Sequence, residues 1–141
     1  MNDKITRTTV PDGAYLDFMM AKVGITEIAV TAAPMISLLI ATYCSQYDNS
    51  DTPLVCYELS NGGWYVAPDI DRTLMWDSPL NWFSGELSAD AAGITASLYY
   101  MSNLSFTEDQ VLSEKISEAF HKLRAYALDH DEAASIFRAI D

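Results

Sequence analysis

The side chains best equipped for chemistry in this 141-residue chain are three nearby aspartates, Asp69, Asp71 and Asp77, two histidines, His121 and His130, and two cysteines, Cys44 and Cys56. Carboxylates grouped in this way offer the hard oxygen donors that a divalent cation takes, and a cation held there would serve hydrolysis. Their spacing is not that of an EF-hand loop, and solvated loop charges account for them more simply. The histidines stand nine residues apart, which does not by itself build a metal site. His130 falls at the end of a helical pattern, where the helix dipole favours its cationic form. Cys44 and Cys56 have eleven residues between them and no companion at metal-ligand spacing, so two reduced thiols are expected. There is no Gly-rich phosphate loop, nucleophile elbow, HExxH or CxxC in the sequence. The expectation is a protein that acts by binding, with no catalytic residues, cofactor or metal.

The elements that must position these residues follow from pattern. A chain of this length, half of it apolar, suffices for one domain spanning 1–141 with a sizeable core. The spacing predicts a β-hairpin at 54–67. Val55, Tyr57 and Leu59 alternate with Cys56 and Glu58, Asn61-Gly62-Gly63 supply a turn that tolerates positive φ, and Pro68 ends the second strand. A third strand near "RTLMW" would complete a meander, and the first 25 residues are read as mostly irregular. A helix is expected from Pro34 through "MISLLIATYCSQY". It lies within the stretch Ile28–Tyr47, which carries no charge over 20 residues, and it is apolar nearly all round, which reads as a buried helix at the centre of the fold and not a membrane span.

Further on, Ser88 is a helix N-cap, and Gly93 inside that helix signals the close approach of another element. Thr107 and Gln110 match a capping box before a helix whose apolar face is Leu112, Ile116, Ala119, Leu123 and Ala127. Glu118 and Lys122 are spaced for an ion pair on it, and a last short helix covers "DEAASIFRAI". The fold class expected is α+β, a small antiparallel sheet of about three strands packed with several α-helices.

Charge narrows the function. The net charge is −12, and between Val23 and Glu114 twelve carboxylates face a single base, Arg72. Direct binding to a nucleic-acid backbone is therefore disfavoured. Mimicry of DNA is a second possibility. B-DNA carries about 22 charges over the roughly 37 Å diameter of such a domain, more than 20 acids spread over all faces provide on one. The N-terminus has no apolar stretch of signal-peptide length, so secretion is not indicated.

Three strings, "YELSNGGWYVAP", "GELSADAAGI" and "KLRAYALDH", in this order and at these separations, resemble the ArdB/KlcA family of antirestriction proteins. The similarity runs from about Val10 to the end and is densest from Tyr57 to His130. Trp64 and Val66 replace the Phe and Met common in the family and keep the strand apolar. The resemblance implies a small cytoplasmic protein carried by mobile DNA such as plasmids and genomic islands, which protects incoming DNA by blocking type I restriction. Its partner would be the type I restriction enzyme or an associated host factor. No catalytic residue or cofactor comes with it. Setting aside residues with a folding task, the polar ones left for a partner are Glu58, Asp69, Asp71, Asp77 and Glu86. A metal-dependent hydrolase built on the three aspartates is the reading furthest from this one.

Overall fold

The computed structural model describes residues 4–50, 52–79 and 81–141. Strand β1 (Arg7–Val10), a 3-10 turn and helix α1 (Tyr15–Val23) precede the long helix α2 (Thr26–Tyr43). Strands β2 (Leu54–Leu59), β3 (Trp64–Pro68), β4 (Thr73–Ser78) and β5 (Phe83–Ser88) follow. Helices α3 (Ala89–Leu104), α4 (Gln110–Leu128) and α5 (Ala133–Ile140) complete the chain.

The β2–β3 hairpin forms as the pattern requires, with Cys56 opposite Val66 and Tyr57 opposite Tyr65. Its sheet partner is not the strand expected near "RTLMW". The order is β1-β2-β3, whereas β4, which holds that string from Thr73 on, pairs with β5 in a separate two-stranded sheet. The stretch read as mostly irregular instead carries β1, the 3-10 turn and α1 over residues 7–23, and β1 lies antiparallel to β2 with Thr9 opposite Tyr57. Four residues of strand followed by a nine-residue helix give too few turns of either period to stand out in sequence.

The helix expected from Pro34 begins eight residues earlier, at Thr26, and encloses the proline. Pro34 supplies no N–H to the ladder. The Tyr15 hydroxyl inserts beside it, accepting from the Ala33 N–H at 3.2 Å and reaching the Ala29 carbonyl at 3.4 Å. A side chain entering the ladder next to proline satisfies backbone groups that the disrupted turn would leave open. Tyr15→Phe should therefore cost about 1–2 kcal/mol, read as a lower urea midpoint at unchanged slope. An unmoved midpoint would mean that the helix satisfies Ala33 by itself.

The central helix is α3, not α2. α2 buries Ala29, Ala32, Ile36, Ser37 and Ile40 but leaves Val30, Met35 and Leu38 about half exposed. It is long and apolar enough to cross a membrane by length and composition, yet its inner face packs on α1, α3 and the strands. α3 is buried on every side from Ala91 to Leu98 and touches β3, α4, α2 and α5. Ala91, Ala92, Gly93, Ala96 and Ser97 make this possible, because small side chains let neighbours approach the helix closely. A Cβ on Gly93 would stand 2.3 Å from the Ala67 Cβ and 2.7 Å from the Val66 carbonyl oxygen. Beside this contact the Ser97 hydroxyl accepts from the Val66 N–H.

Ser88 caps α3 as expected, its oxygen accepting from the Ala91 N–H at 3.0 Å. α4 is capped by Asp109, which accepts from the Leu112 N–H, and not by Thr107. Asp109 stands nearer the first helical turn, and a carboxylate there also meets the positive end of the helix dipole. The five apolar positions expected on α4 are all buried, and Glu118 pairs with Lys122 at 2.8 Å.

Candidate functional site

The five candidate carboxylates do not converge. Glu58 is exposed on β2, opposite Thr8 and Trp64, with Lys22 Nζ 3.9 Å from its carboxylate. Asp69 follows β3, its N–H donating to the Pro53 carbonyl, and Asp71 lies in the turn before β4. Asp77 falls on β4 itself and not in a loop, where it faces solvent opposite Ser84, diagonal to Glu86 on β5. The proposed Asp69, Asp71 and Asp77 cluster is therefore not assembled, because the strand geometry carries Asp77 away from the turn. Among the described residues no three His, Cys, Asp or Glu side chains are grouped to hold a metal ion. Cys44 and Cys56 are buried and unpaired, and burial pushes each thiol up to about 12, which suppresses the reactive thiolate.

A different set of polar side chains does converge. Asp90, in the first turn of α3, receives Arg7 Nη1 at 2.5 Å and the Tyr65 hydroxyl at 2.6 Å on one oxygen. Its other oxygen faces His130 Nε2 at 2.9 Å. Arg7 also donates to the Tyr65 hydroxyl at 2.6 Å and lies 4.2 Å over the Tyr57 ring. Tyr65 is flanked by the rings of Tyr57 and Tyr126. Beneath, Glu132 closes the junction of β5 and α3 by accepting from the Ser88 N–H and hydroxyl. One carboxylate thus joins β1, β3, α3 and the turn between α4 and α5.

The electrostatics follow from these contacts. Burial pushes the Asp90 carboxyl upward, but His130, Tyr65 and Arg7 outweigh it and hold the group below its ordinary range. Burial, then the Asp90 charge, raises the Tyr65 phenol. The bond to Asp90 raises the His130 imidazole, against burial that lowers it. The Glu132 N–H donates to His130 Nδ1 at 3.0 Å, so the neutral ring carries its proton on Nε2 and gives it to Asp90. The pull toward the cation expected from a helix end comes here mainly from the Asp90 carboxylate, opposed by the Glu132 N–H, which needs Nδ1 unprotonated. A backbone N–H occupies the nitrogen that a general base would turn to a nucleophile, and the arrangement works as a clasp.

A cleft of about 380 Å³ runs beside the clasp, lined by Lys4, Arg7, Tyr126, Asp129, His130 and Asp131 among others, with both charges represented. The hairpin turn docks similarly elsewhere. Asn61 Nδ2 donates to the Lys122 carbonyl, Lys22 Nζ donates to the Gly62 carbonyl, and a Cβ on Gly63 would meet the Lys122 Cβ at 2.9 Å.

Asp90 is not among the residues singled out from the sequence, yet a signal for it existed. "YELSNGGWYVAP" supplies Tyr57 and Tyr65, "GELSADAAGI" supplies Asp90, and "KLRAYALDH" supplies His130. The same strings meet again where Gly63 touches Lys122 and where Gly93 touches Ala67. Much of their content is therefore mutual packing.

The family model described as antirestriction protein matches residues 29–141. Antirestriction protein KlcA of Escherichia coli is 33% identical over 138 residues, covering 97% of this chain and 95% of that protein. A second Escherichia coli protein of that name is 46% identical over 89 residues, 60% of this chain and 59% of its own length. The uncharacterized protein YfjX of Escherichia coli K12 is 33% identical, covering 98% of this chain and 89% of that protein. Among solved structures, one from work on the KlcA and ArdB proteins superposes with a TM-score of 0.87 at 34% identity, covering 100% of both chains. Those proteins are described as having a novel fold, with antirestriction activity against type I DNA restriction systems in vivo but not in vitro.

Proposed function

The chain belongs to the antirestriction protein family, and from that premise we propose that it protects incoming mobile DNA from type I restriction by binding a component of the restricting cell, without catalysis. It acts in the cytoplasm as one domain, residues 1–141. The observation that carries this reading is the Asp90 clasp: its Asp, His, Arg and Tyr side chains are engaged with one another, while exposed carboxylates are left over on both sheets.

Activity of the KlcA and ArdB proteins in vivo but not in vitro favours a partner or step that exists only in the cell, a host factor associated with restriction. A DNA mimic seated in the enzyme's own groove would be expected to inhibit in a purified mixture as well. The carboxylates available to a partner in this reading are Glu58 on the three-stranded sheet, Asp77 and Glu86 on the two-stranded one, and Asp69 and Asp71 between β3 and β4.

Unmodified phage should plate more efficiently on a restricting host that expresses the chain than on the same host without it, and equal plating would end the proposal. Replacing the five acids together by their amides should lower that protection while each substitution moves stability by no more than about 0.5 kcal/mol, as for exposed groups in general. Full protection by the neutralised protein would remove these carboxylates from the surface.

A further inference from the structure

We propose that Trp82, at the tip of the β4–β5 hairpin, is the anchor by which this protein docks on an arginine-bearing surface of its protein partner. The inference rests on the binding function proposed above and names the contact.

Trp82 is 90% exposed, whereas the other two tryptophans, Trp64 and Trp76, are buried. Its backbone lies at φ +62°, in the left-handed region that favours glycine. The other left-handed positions among the described residues are Gly24 and Gly62. At this one place the chain puts its largest side chain where it elsewhere uses its smallest.

The strained backbone is held from both sides. Asn81 Nδ2 donates to the Arg138 and Ala139 carbonyls at the end of α5, and Asn81 Oδ1 accepts from the Phe83 N–H at 3.1 Å. The Tyr99 hydroxyl donates to that same Ala139 carbonyl. A large apolar ring kept in water on a fixed support gains nothing for folding. Tryptophan is among the residues most enriched at interface hot spots, and one on a fixed backbone loses little freedom when it binds.

Charge selects the occupant. The exposed face of the same hairpin presents Thr73, Met75, Asp77, Ser84 and Glu86, with two carboxylates and no cation. A guanidinium fits both features, since it stacks on the indole face and pairs with carboxylates. A nucleobase would also stack on the ring, but its phosphates would be repelled by Asp77 and Glu86.

The test uses the whole protein in a restricting host challenged with unmodified phage. Trp82→Ala and Trp82→Gly should lower protection about 10-fold or more, with the melting temperature of Trp82→Ala close to the parent's and that of Trp82→Gly equal to it or above, because only glycine is free of the Cβ that disfavours φ +62°. Phe106→Ala, at the other strongly exposed aromatic, should protect like the parent. Asp77→Lys with Glu86→Lys should also lose protection, while Asp77→Glu with Glu86→Asp keeps it. Parental protection by Trp82→Ala overturns the anchor and leaves the proposed function standing. Absence of protection by the parent itself removes the function and the anchor together. A photo-crosslinking residue at position 82 that joins nucleic acid in the cell, and not protein, overturns the choice of occupant.

Discussion

Gly93→Ala should destabilise the protein by about 3 kcal/mol and lower its melting temperature by roughly 10 °C. In an exposed helix the same change would stabilise by about 1 kcal/mol through helix propensity. Here the added methyl would fall 2.3 Å from the Ala67 Cβ, 2.5 Å from the Ala67 Cα and 2.7 Å from the Val66 oxygen. Two of these are backbone atoms, which no rotamer change moves aside, so α3 and β3 must separate. Separation would also strain the bonds between Ser97 and Val66. Ala67→Gly in the same chain should return 1 kcal/mol or so of the loss, because neighbouring substitutions that share a contact are not additive. A neutral or stabilising Gly93→Ala, seen by thermal and urea unfolding, would refute the close approach.

Asp90→Asn should cost about 3 kcal/mol, with antirestriction lost in proportion to the fraction unfolded. Removing one partner of a partly buried charged set leaves the others without compensation, which is worse than having no charges at all. Arg7 and His130 would each lose the carboxylate, and Tyr65 would lose its acceptor charge. The pH dependence has a definite sign. Asp90 is held below its ordinary value, so its contribution is present above that value and disappears as pH falls through the lowered one. His130 is raised, so its contribution is complete below the ordinary imidazole value of 6.5 and declines as pH rises through the folded value. The two together are strongest from about pH 4 to 6.5. The gap in melting temperature between the parent and His130→Asn should therefore be wider at pH 5.5 than at pH 8.5. Using the difference removes the general relief of self-repulsion that acid brings to a chain of net charge −12. The neutral ring still donates Nε2–H to Asp90, so the gap narrows without closing. A gap independent of pH would show that His130 stays neutral throughout.

What could be read in the sequence was whatever a short window specifies. The β2–β3 hairpin was legible because alternation, a turn requiring Asn and Gly, and a terminating proline all lie within fifteen residues. The face of α4 and the Ser88 cap were legible for the same reason, and Gly93 declared a neighbour without saying which. α2 misled because its exposed face also carries large apolar residues, Val30, Met35 and Leu38, and composition does not reveal which side a tertiary neighbour covers. β4 was recognised as a strand, but nothing local told whether its partner was β3 or β5.

The clasp shows the division most plainly. Arg7 and Asp90 are 83 residues apart, and Asp90 and His130 are 40 apart. Each lies in an unremarkable local setting, so neither period nor spacing could join them. The sequence by itself determined the family, the fold class and those local elements whose period or turn is marked within a short window, because these depend on near neighbours and on recurrent strings. Only the tertiary structure decided that α3 is the centre, that three distant strings meet at one carboxylate, and that Trp82 stands in water on a strained support. Those outcomes depend on which surfaces the packed core leaves over, a property of the whole chain that no segment carries alone.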